Sequence, residues 1–344
     1  MAQQAWKVIV VNPPPDPDFA YEHRALYELG VKLEPVAVAD DEELLAAAAD
    51  ADVVVPIGFA LSARVIGGLE RCRLIPMLDV GLENVDVAAA TARGILVTGL
   101  GDLLTEEVAD HAWMLLLLAA RRGLWLDEMV TSGRWQEARD MLLPDLTLAM
   151  PRVAWRTLGL VAFGKVARAV ARRAQGFGVH CVACDPYVAP EVFEEHRAEQ
   201  ASLESVCRRG DFISCHLPLT AETTRLIGGA QFDLMKSGAI FVNTGHGKTV
   251  DEAALIAALE DGRILAAGLD VLEREPPDPD NPLLRMPNVA LSPHVASVST
   301  ASYVGRHRFV GEQIANALRG RVPAGVVNPE ALADWRYRAA AENA

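Results

Sequence analysis

The chain has 344 residues, of which 51% are hydrophobic and 23% charged, and its formal net charge is −14. That length and apolar content support two cores rather than one. An acidic balance with scattered arginines lacks the basic surface that nucleic acid or an anionic membrane requires, so neither is expected as a partner. The longest apolar run, Ala112 to Ala120, is far short of the ~20 residues of a membrane span. The N-terminus lacks a signal peptide's order of basic, apolar and small residues, and a cytoplasmic location is expected. Five cysteines, Cys72, Cys181, Cys184, Cys207 and Cys215, read as reduced thiols rather than a disulfide framework. Cys181 and Cys184 form a single C-x-x-C inside an expected strand, which reads as core packing; no metal site is expected.

In chain order, short β-rich runs at Lys7–Val11, Val53–Ile57, Leu74–Leu78 and Ile95–Thr98 alternate with helical stretches such as Asp41–Ala49, which describes a small α/β unit. The prolines at 13, 14, 15 and 17 place a surface loop after the first strand. A helix is expected from Thr105 through Trp113 to Arg122, with Thr105 or Asp102 as its N-cap. Gly123 to Arg156, rich in Trp, Met and Arg, shows little period and reads as an arm whose exposed aromatics suit a partner subunit. Strands are then expected at Val179–Asp185, Cys207–Leu217, Ala239–Thr244, Ile264–Val271 and Asn288–Ser292. Helices are expected at Asp251–Asp261, capped by Asp251, and at Ser299–Arg319. This alternation implies a doubly wound parallel sheet.

One segment carries chemistry by itself. Gly159-Leu160-Val161-Ala162-Phe163-Gly164-Lys165-Val166-Ala167, with Asp185 21 residues beyond Gly164, reads as strand, phosphate turn, helix and a second strand ending in a carboxylate. A small residue lets the backbone approach a pyrophosphate, the helix start points N–H groups at it, and an acid at the second strand's end binds the adenosine ribose, favouring NAD over NADP. The first and third glycines of the usual G-x-G-x-x-G pattern are Ala162 and Ala167 here.

From about Arg71 to Val310 the chain resembles the D-isomer-specific 2-hydroxyacid dehydrogenases, a family that includes phosphoglycerate, glycerate and formate dehydrogenases. The matching segments are Val80-Gly81-Leu82-Glu83-Asn84-Val85-Asp86, Arg93-Gly94-Ile95 with Thr105-Glu106-Glu107-Val108-Ala109-Asp110, and the nucleotide turn. They continue with His216-Leu217-Pro218-Leu219-Thr220 and Thr223, Met235-Lys236-Ser237-Gly238-Ala239, and Asn243-Thr244-Gly245-His246-Gly247. Gly268-Leu269-Asp270-Val271 with Glu275-Pro276 and Ser292-Pro293-His294 complete the set.

The resemblance implies two Rossmann-like, doubly wound α/β domains with parallel sheets, the cofactor domain (102–298) inserted into a discontinuous, flavodoxin-like substrate domain (1–101 plus 299–335). It implies a homodimer formed through an arm at about 121–156, a small-molecule substrate, and NAD as cofactor. The cofactor residues it implies are Thr105, Phe163, Gly164, Lys165, Val166, Asp185, Pro186, Leu217, Pro218, Thr223, Thr244, Gly245, His246, Asp270 and His294. The chemistry it implies is hydride transfer between nicotinamide and a carbonyl or alcohol carbon. His294 would be the acid/base, its unperturbed pKa near ~6.5 suiting that work. Glu275 would stabilise its protonated form by about 1–3 pKa units.

Two departures bear on the substrate. The family's arginine falls at the residue after Thr244-Gly245, where this chain has His246. A guanidinium grips a carboxylate bidentately, whereas an imidazole near neutrality gives at most one charge-assisted bond. For an ordinary 2-oxo acid the loss is a few kcal/mol, or ~10²-fold in rate. The substrate loop, Asp79, Val80 and Gly81, opens on a carboxylate instead of the family's glycine, and Gly99 and Asp102 replace its asparagine and glycine near the hinge. His246 either contacts the substrate or only packs against the nicotinamide ribose; Lys248, or Arg134 or Arg139 from the arm, are candidate substitutes for the arginine. His111 reads as a core or interface histidine. The expectation is an NAD-dependent oxidoreductase with an atypical substrate. The alternatives are a conventional 2-oxo acid reductase using Lys248 or an arm arginine, and a non-catalytic, redox-sensing NAD-binding module, against which the retained His294 and Glu275 argue.

Overall fold

The computed structural model describes residues 6–78, 81, 82, 84–141 and 150–335. By internal contact the chain divides into Met1–Leu104 with Ser299–Ala344, and Thr105–Val298.

In the first unit, β1 (Val8–Val11) is a run of valine and isoleucine buried on both faces, as an inner parallel strand must be. Around it the elements follow in strict alternation: α1 (Ala20–Leu26), β2 (Leu33–Val36), α2 (Asp41–Ala48), β3 (Val53–Pro56), α3 (Ala63–Gly68), β4 (Leu74–Pro76), α4 (Val87–Ala92) and β5 (Leu96–Thr98). The sheet order is β2-β1-β3-β4-β5, and β1 pairs parallel to both neighbours, Val8 opposite Leu33 and Val53. This is the flavodoxin-like form of the doubly wound fold. Asp40 caps α2 by accepting the N–H groups of Glu42 and Glu43, satisfying donors the helix cannot use.

The second unit opens with α5 (Thr105–Arg121), whose first turn carries Glu106 and Glu107 and whose last carries Arg121, both in the sense the helix dipole favours. Thr105 is the first residue of this helix rather than its cap. The stretch expected to be without period is helical at α6 (Gly123–Thr131) and over residues 135–141 (α7); the part of the arm at 142–149 lies outside the described residues. Then follow β6 (Thr157–Val161), α8 (Lys165–Gly176), β7 (His180–Cys184), α9 (Pro190–Glu195), β8 (Ala198–Gln200), α10 (Leu203–Arg209), β9 (Phe212–Cys215), α11 (Gly229–Leu234), β10 (Ile240–Asn243), α12 (Glu252–Glu260), β11 (Ala266–Leu269) and β12 (Val289–Leu291). Cys207, expected in a strand, lies instead in α10, which Ser202 caps. The parallel sheet runs β12-β11-β10-β9-β6-β7-β8. Its order reverses between β6 and β9, which opens the crevice where such sheets bind ligands beyond their carboxyl ends.

The chain then returns to the first unit as α13 (Thr300–Leu318), capped by Ser299 and packed on α1 through a buried contact of His307 Nδ1 with Glu22 Oε1. Among the described residues no helix is long and apolar enough to cross a membrane.

Candidate functional site

The site gathers on the loops that leave the carboxyl ends of the second unit's strands. After β6, Ala162 adopts a left-handed backbone (φ +67°) and Gly164 becomes the N-cap of α8 with no side chain capping the helix. A Cβ added to Gly164 would meet nothing within 4 Å, so the turn's outer surface is open. Its glycine serves close approach; the left-handed bend falls on the alanine. Asp185, just past β7, accepts the N–H of Phe163 through Oδ2 and that of Tyr187 through Oδ1, both at 2.9 Å. It thereby ties the turn after β6 to the loop after β7.

A mostly apolar cleft of about 710 Å³ opens beside this carboxylate, lined among others by Ala162, Pro186, Leu203, Leu217, Pro218 and Thr223. Cys184 also lines it, but burial pushes that thiol up to about 11 and the Cys181 thiol up to about 12, so both are inert packing groups. Phe163, counted with the cofactor residues in the sequence, has its ring buried against Phe193 and gives its N–H to Asp185.

After β10, Thr244 is buried and its Oγ1 has no hydrogen-bond partner. A Cβ on Gly245 would lie 3.1 Å from the Leu217 carbonyl, and one on Gly247 only 1.8 Å from that of Leu272. Gly247 is thus the residue that lets the His246 turn lie directly on the backbone leading to Glu275. His246 is half-buried; its carbonyl accepts from the Asn243 side chain at 3.1 Å and the Thr249 hydroxyl at 2.6 Å.

Beyond β11 and β12 stand the two groups able to move a proton. His294 Nδ1 lies 2.7 Å from Glu275 Oε2, with side chains 54% and 37% exposed. An ionised carboxylate only accepts, so Nδ1 donates and Nε2 is left to exchange a proton. Glu275 Oε1 accepts the Leu272 N–H at 3.0 Å, which fixes the carboxylate before the imidazole meets it. His294 has φ +53°, uncommon for a residue with a side chain.

Residues 113–296 match the profile of the D-isomer specific 2-hydroxyacid dehydrogenase NAD-binding domain. The chain belongs to this family. A glyoxylate reductase of Korarchaeum cryptofilum is 42% identical over 79% of this chain and 81% of its own length. A D-3-phosphoglycerate dehydrogenase of Methanocaldococcus jannaschii is 37% identical over 89% of this chain and 57% of its own. The crystal structure of a Thermus thermophilus protein superposes with a TM-score of 0.80 at 33% identity, covering 93% and 99% of the two chains. The protein is accordingly an NAD-dependent dehydrogenase or reductase acting on CH–OH groups.

In this dehydrogenase Asp270, counted with the cofactor residues in the sequence, is 2% exposed and committed to its own turn. Its oxygens accept the Ser292 hydroxyl at 2.6 Å, the Val295 N–H at 3.0 Å and the Ala296 N–H at 2.8 Å. His111 joins them through Ser292, at 2.7 Å. Asp270 and Ser292 lie in the matched motifs, but nothing in the sequence ties them to His111 on α5. Thr223 spends its hydroxyl proton on the Pro218 carbonyl at 2.6 Å, shaping the cleft's rim. Lys165 and Val166 begin α8, Thr105 begins α5, and Lys248 is exposed beyond His246. Gly81 lies in the first unit after β4; Asp79 and Val80 lie outside the described residues.

Proposed function

We propose that this dehydrogenase interconverts a carbonyl and an alcohol with His294 exchanging the proton, Glu275 orienting it, and a substrate other than an ordinary small 2-oxo acid. The observation that carries the reading is the 2.7 Å contact between His294 Nδ1 and Glu275 Oε2.

The residues present fit the family's cofactor. The uncapped start of α8 and the open face of Gly164 suit a pyrophosphate, Asp185 suits ribose hydroxyls, the apolar cleft beside Leu217 and Pro218 suits an adenine, and the partnerless Thr244 hydroxyl awaits a polar ligand. NAD, when bound there, supplies or takes up the hydride. In reduction, His294 Nε2–H protonates the oxygen that develops negative charge, and Glu275, accepting from Nδ1, holds the ring in place for it. In oxidation the same nitrogen removes the alcohol proton.

His246 stands at the family's arginine position and offers one hydrogen bond where a guanidinium offers a fork. This supports a substrate that does not depend on a bidentate carboxylate grip. A second reading, a conventional 2-oxo acid reductase with Lys248 or an arm arginine, Arg134 or Arg139, holding the carboxylate, is favoured by the 42% identity with a protein named glyoxylate reductase. Exposed Leu124, Trp135, Met141 and Trp155 on and beside the arm helices support a homodimer through that segment.

The deciding experiment is a screen of NADH oxidation and NAD reduction against 2-oxo acids, neutral aldehydes and ketones, and their alcohols, run with His294→Ala and His246→Arg beside the native protein. Turnover favouring neutral carbonyls, lost in His294→Ala, and a gain of about tenfold or more on glyoxylate in His246→Arg are expected. Native turnover of glyoxylate at least as fast as of neutral carbonyls, with no gain in His246→Arg, sinks the atypical-substrate reading and leaves the conventional one.

A further inference from the structure

His111 has no part in the chemistry described so far, yet it is anchored in the same turn. Its Nε2 lies 2.7 Å from Ser292 Oγ and 3.4 Å from Asp270 Oδ1. Ser292 has one hydroxyl hydrogen and spends it on Asp270 Oδ1 at 2.6 Å, so its oxygen accepts, and His111 must hold its proton on Nε2. The chain of donors therefore runs one way, from α5 through Ser292 to a carboxylate that is 2% exposed.

That carboxylate in turn holds the His294 segment. Its remaining bonds go to the N–H groups of Val295 and Ala296, the two residues after His294, and the Asp270 carbonyl accepts the His294 N–H at 2.8 Å. His294 itself sits at φ +53°, a conformation that costs an ordinary residue about 1–2 kcal/mol and persists only where surroundings enforce it. Asp270 is what enforces it, and the Ser292 and His111 donors fix which way Asp270 points.

We propose that His111 is a positioning residue of this dehydrogenase, acting through Ser292 and Asp270 to hold the His294 turn in the geometry in which Nε2 meets the substrate oxygen. The proposal rests on the reading of His294 as proton carrier. Its effect belongs to the transition state, where placement of the donor counts, and not to cofactor or substrate affinity.

Two measurements test it. Long-range proton–nitrogen correlation of the histidine-labelled protein, without cofactor, should show His111 carrying its proton on Nε2 and His294 as one sharp set of resonances; in His111→Phe the His294 set should broaden or double. A His111 protonated on Nδ1 alone overturns the proposal. In steady-state kinetics, His111→Phe and Ser292→Ala should lower kcat about tenfold while KM and the NADH dissociation constant stay within about twofold. His111→Gln, which keeps an N–H at the same reach, should restore most of the rate. Ser292→Ala tests the chain without altering α5, should His111→Phe fold poorly. A native kcat in both variants, or a glutamine variant as slow as phenylalanine, overturns the proposal. His294→Ala separates the two readings: turnover surviving that change removes the proton-carrier reading and this proposal together, whereas turnover lost there but insensitive to His111 removes this proposal alone.

Discussion

Glu252 and Glu273 hold each other by the backbone: Glu252 Oε2 accepts the Glu273 N–H at 2.9 Å, and Glu273 Oε2 accepts the Glu252 N–H at 3.3 Å. The pair joins the start of α12 to the loop that carries Glu275. Arg225 offsets the charge by donating to Glu273 Oε1, and Asn281 closes the loop's far end by donating to Glu252 Oε1 at 2.8 Å. Glu252→Ala leaves the Glu273 N–H and the Asn281 amide without acceptors, at a cost of about 1–3 kcal/mol. Urea unfolding should show that loss, and kcat should fall more than NADH affinity, because the loop bears Glu275 and not the cofactor turn. A variant with native stability would mean water replaces the carboxylate.

His216 makes the pH dependence of stability readable. Its Nε2 meets Ser214 Oγ at 2.9 Å, its Nδ1 is buried without a partner, and burial pushes the imidazole down to about 4. An unfolded histidine titrates near ~6.5, so between those values the unfolded chain binds the extra proton. The contribution is therefore whole above about pH 6.5 and drains away as the pH falls toward 4, amounting to on the order of 3 kcal/mol. Unfolding free energies at about pH 7.5 and 4.5 should converge in His216→Gln relative to the native chain. An equal acid loss in both proteins would assign the slope to other groups.

Substitution of Asp185 tests the cofactor role proposed for it apart from its structural one. Asp185→Ala should narrow the NADH over NADPH preference by about tenfold, since an acid at the ribose disfavours a 2′-phosphate. It should also lower the melting temperature, because the Phe163 and Tyr187 amides lose their acceptor. An unchanged cofactor ratio with a lowered melting temperature would leave Asp185 a purely structural role.

The bend after β6 is built on an alanine, and that sets its tolerance. With φ +67° at Ala162, Ala162→Val should cost about 2 kcal/mol, as a β-branched side chain is least at ease there. Ala162→Gly should stay within about 1 kcal/mol of native, relief of strain being offset by a freer unfolded chain. Thermal unfolding of the two variants, with NADH titration, measures both.

How far the sequence can be read follows from how local each cause is. Val8–Val11 announces a buried strand by its residues alone, and Asp251 announces the start of α12 because a cap acts within three residues; its side chain does accept the Ala254 N–H. The strand Leu33–Val36 escapes such a reading since a proline and an outward glutamate break its pattern and only Leu33 is buried. Cys207 resembles a strand residue because Val206-Cys207 is apolar, whereas Ser202 has already committed the segment to a helix. The helices of the arm are hidden by Gly123 and Gly133, which interrupt any period. Within the candidate site, Glu275 and His294 are legible through motif resemblance. The bond of His111 to Ser292 spans 181 positions, and no pattern in a single sequence encodes that separation.

The seven-stranded sheet has one more implication. Gly164, Leu217, Thr244, Asp270 and His294 each follow within three residues of the end of β6, β9, β10, β11 and β12 respectively, so the framework itself carries none of the candidate groups. They are mounted like fittings on a rack. A single fitting can be exchanged while the rack stands, and His246→Arg is a swap of that kind. Gly247 is the exception to such freedom: with Leu272 already where its side chain would go, it is the bolt that every replacement must keep.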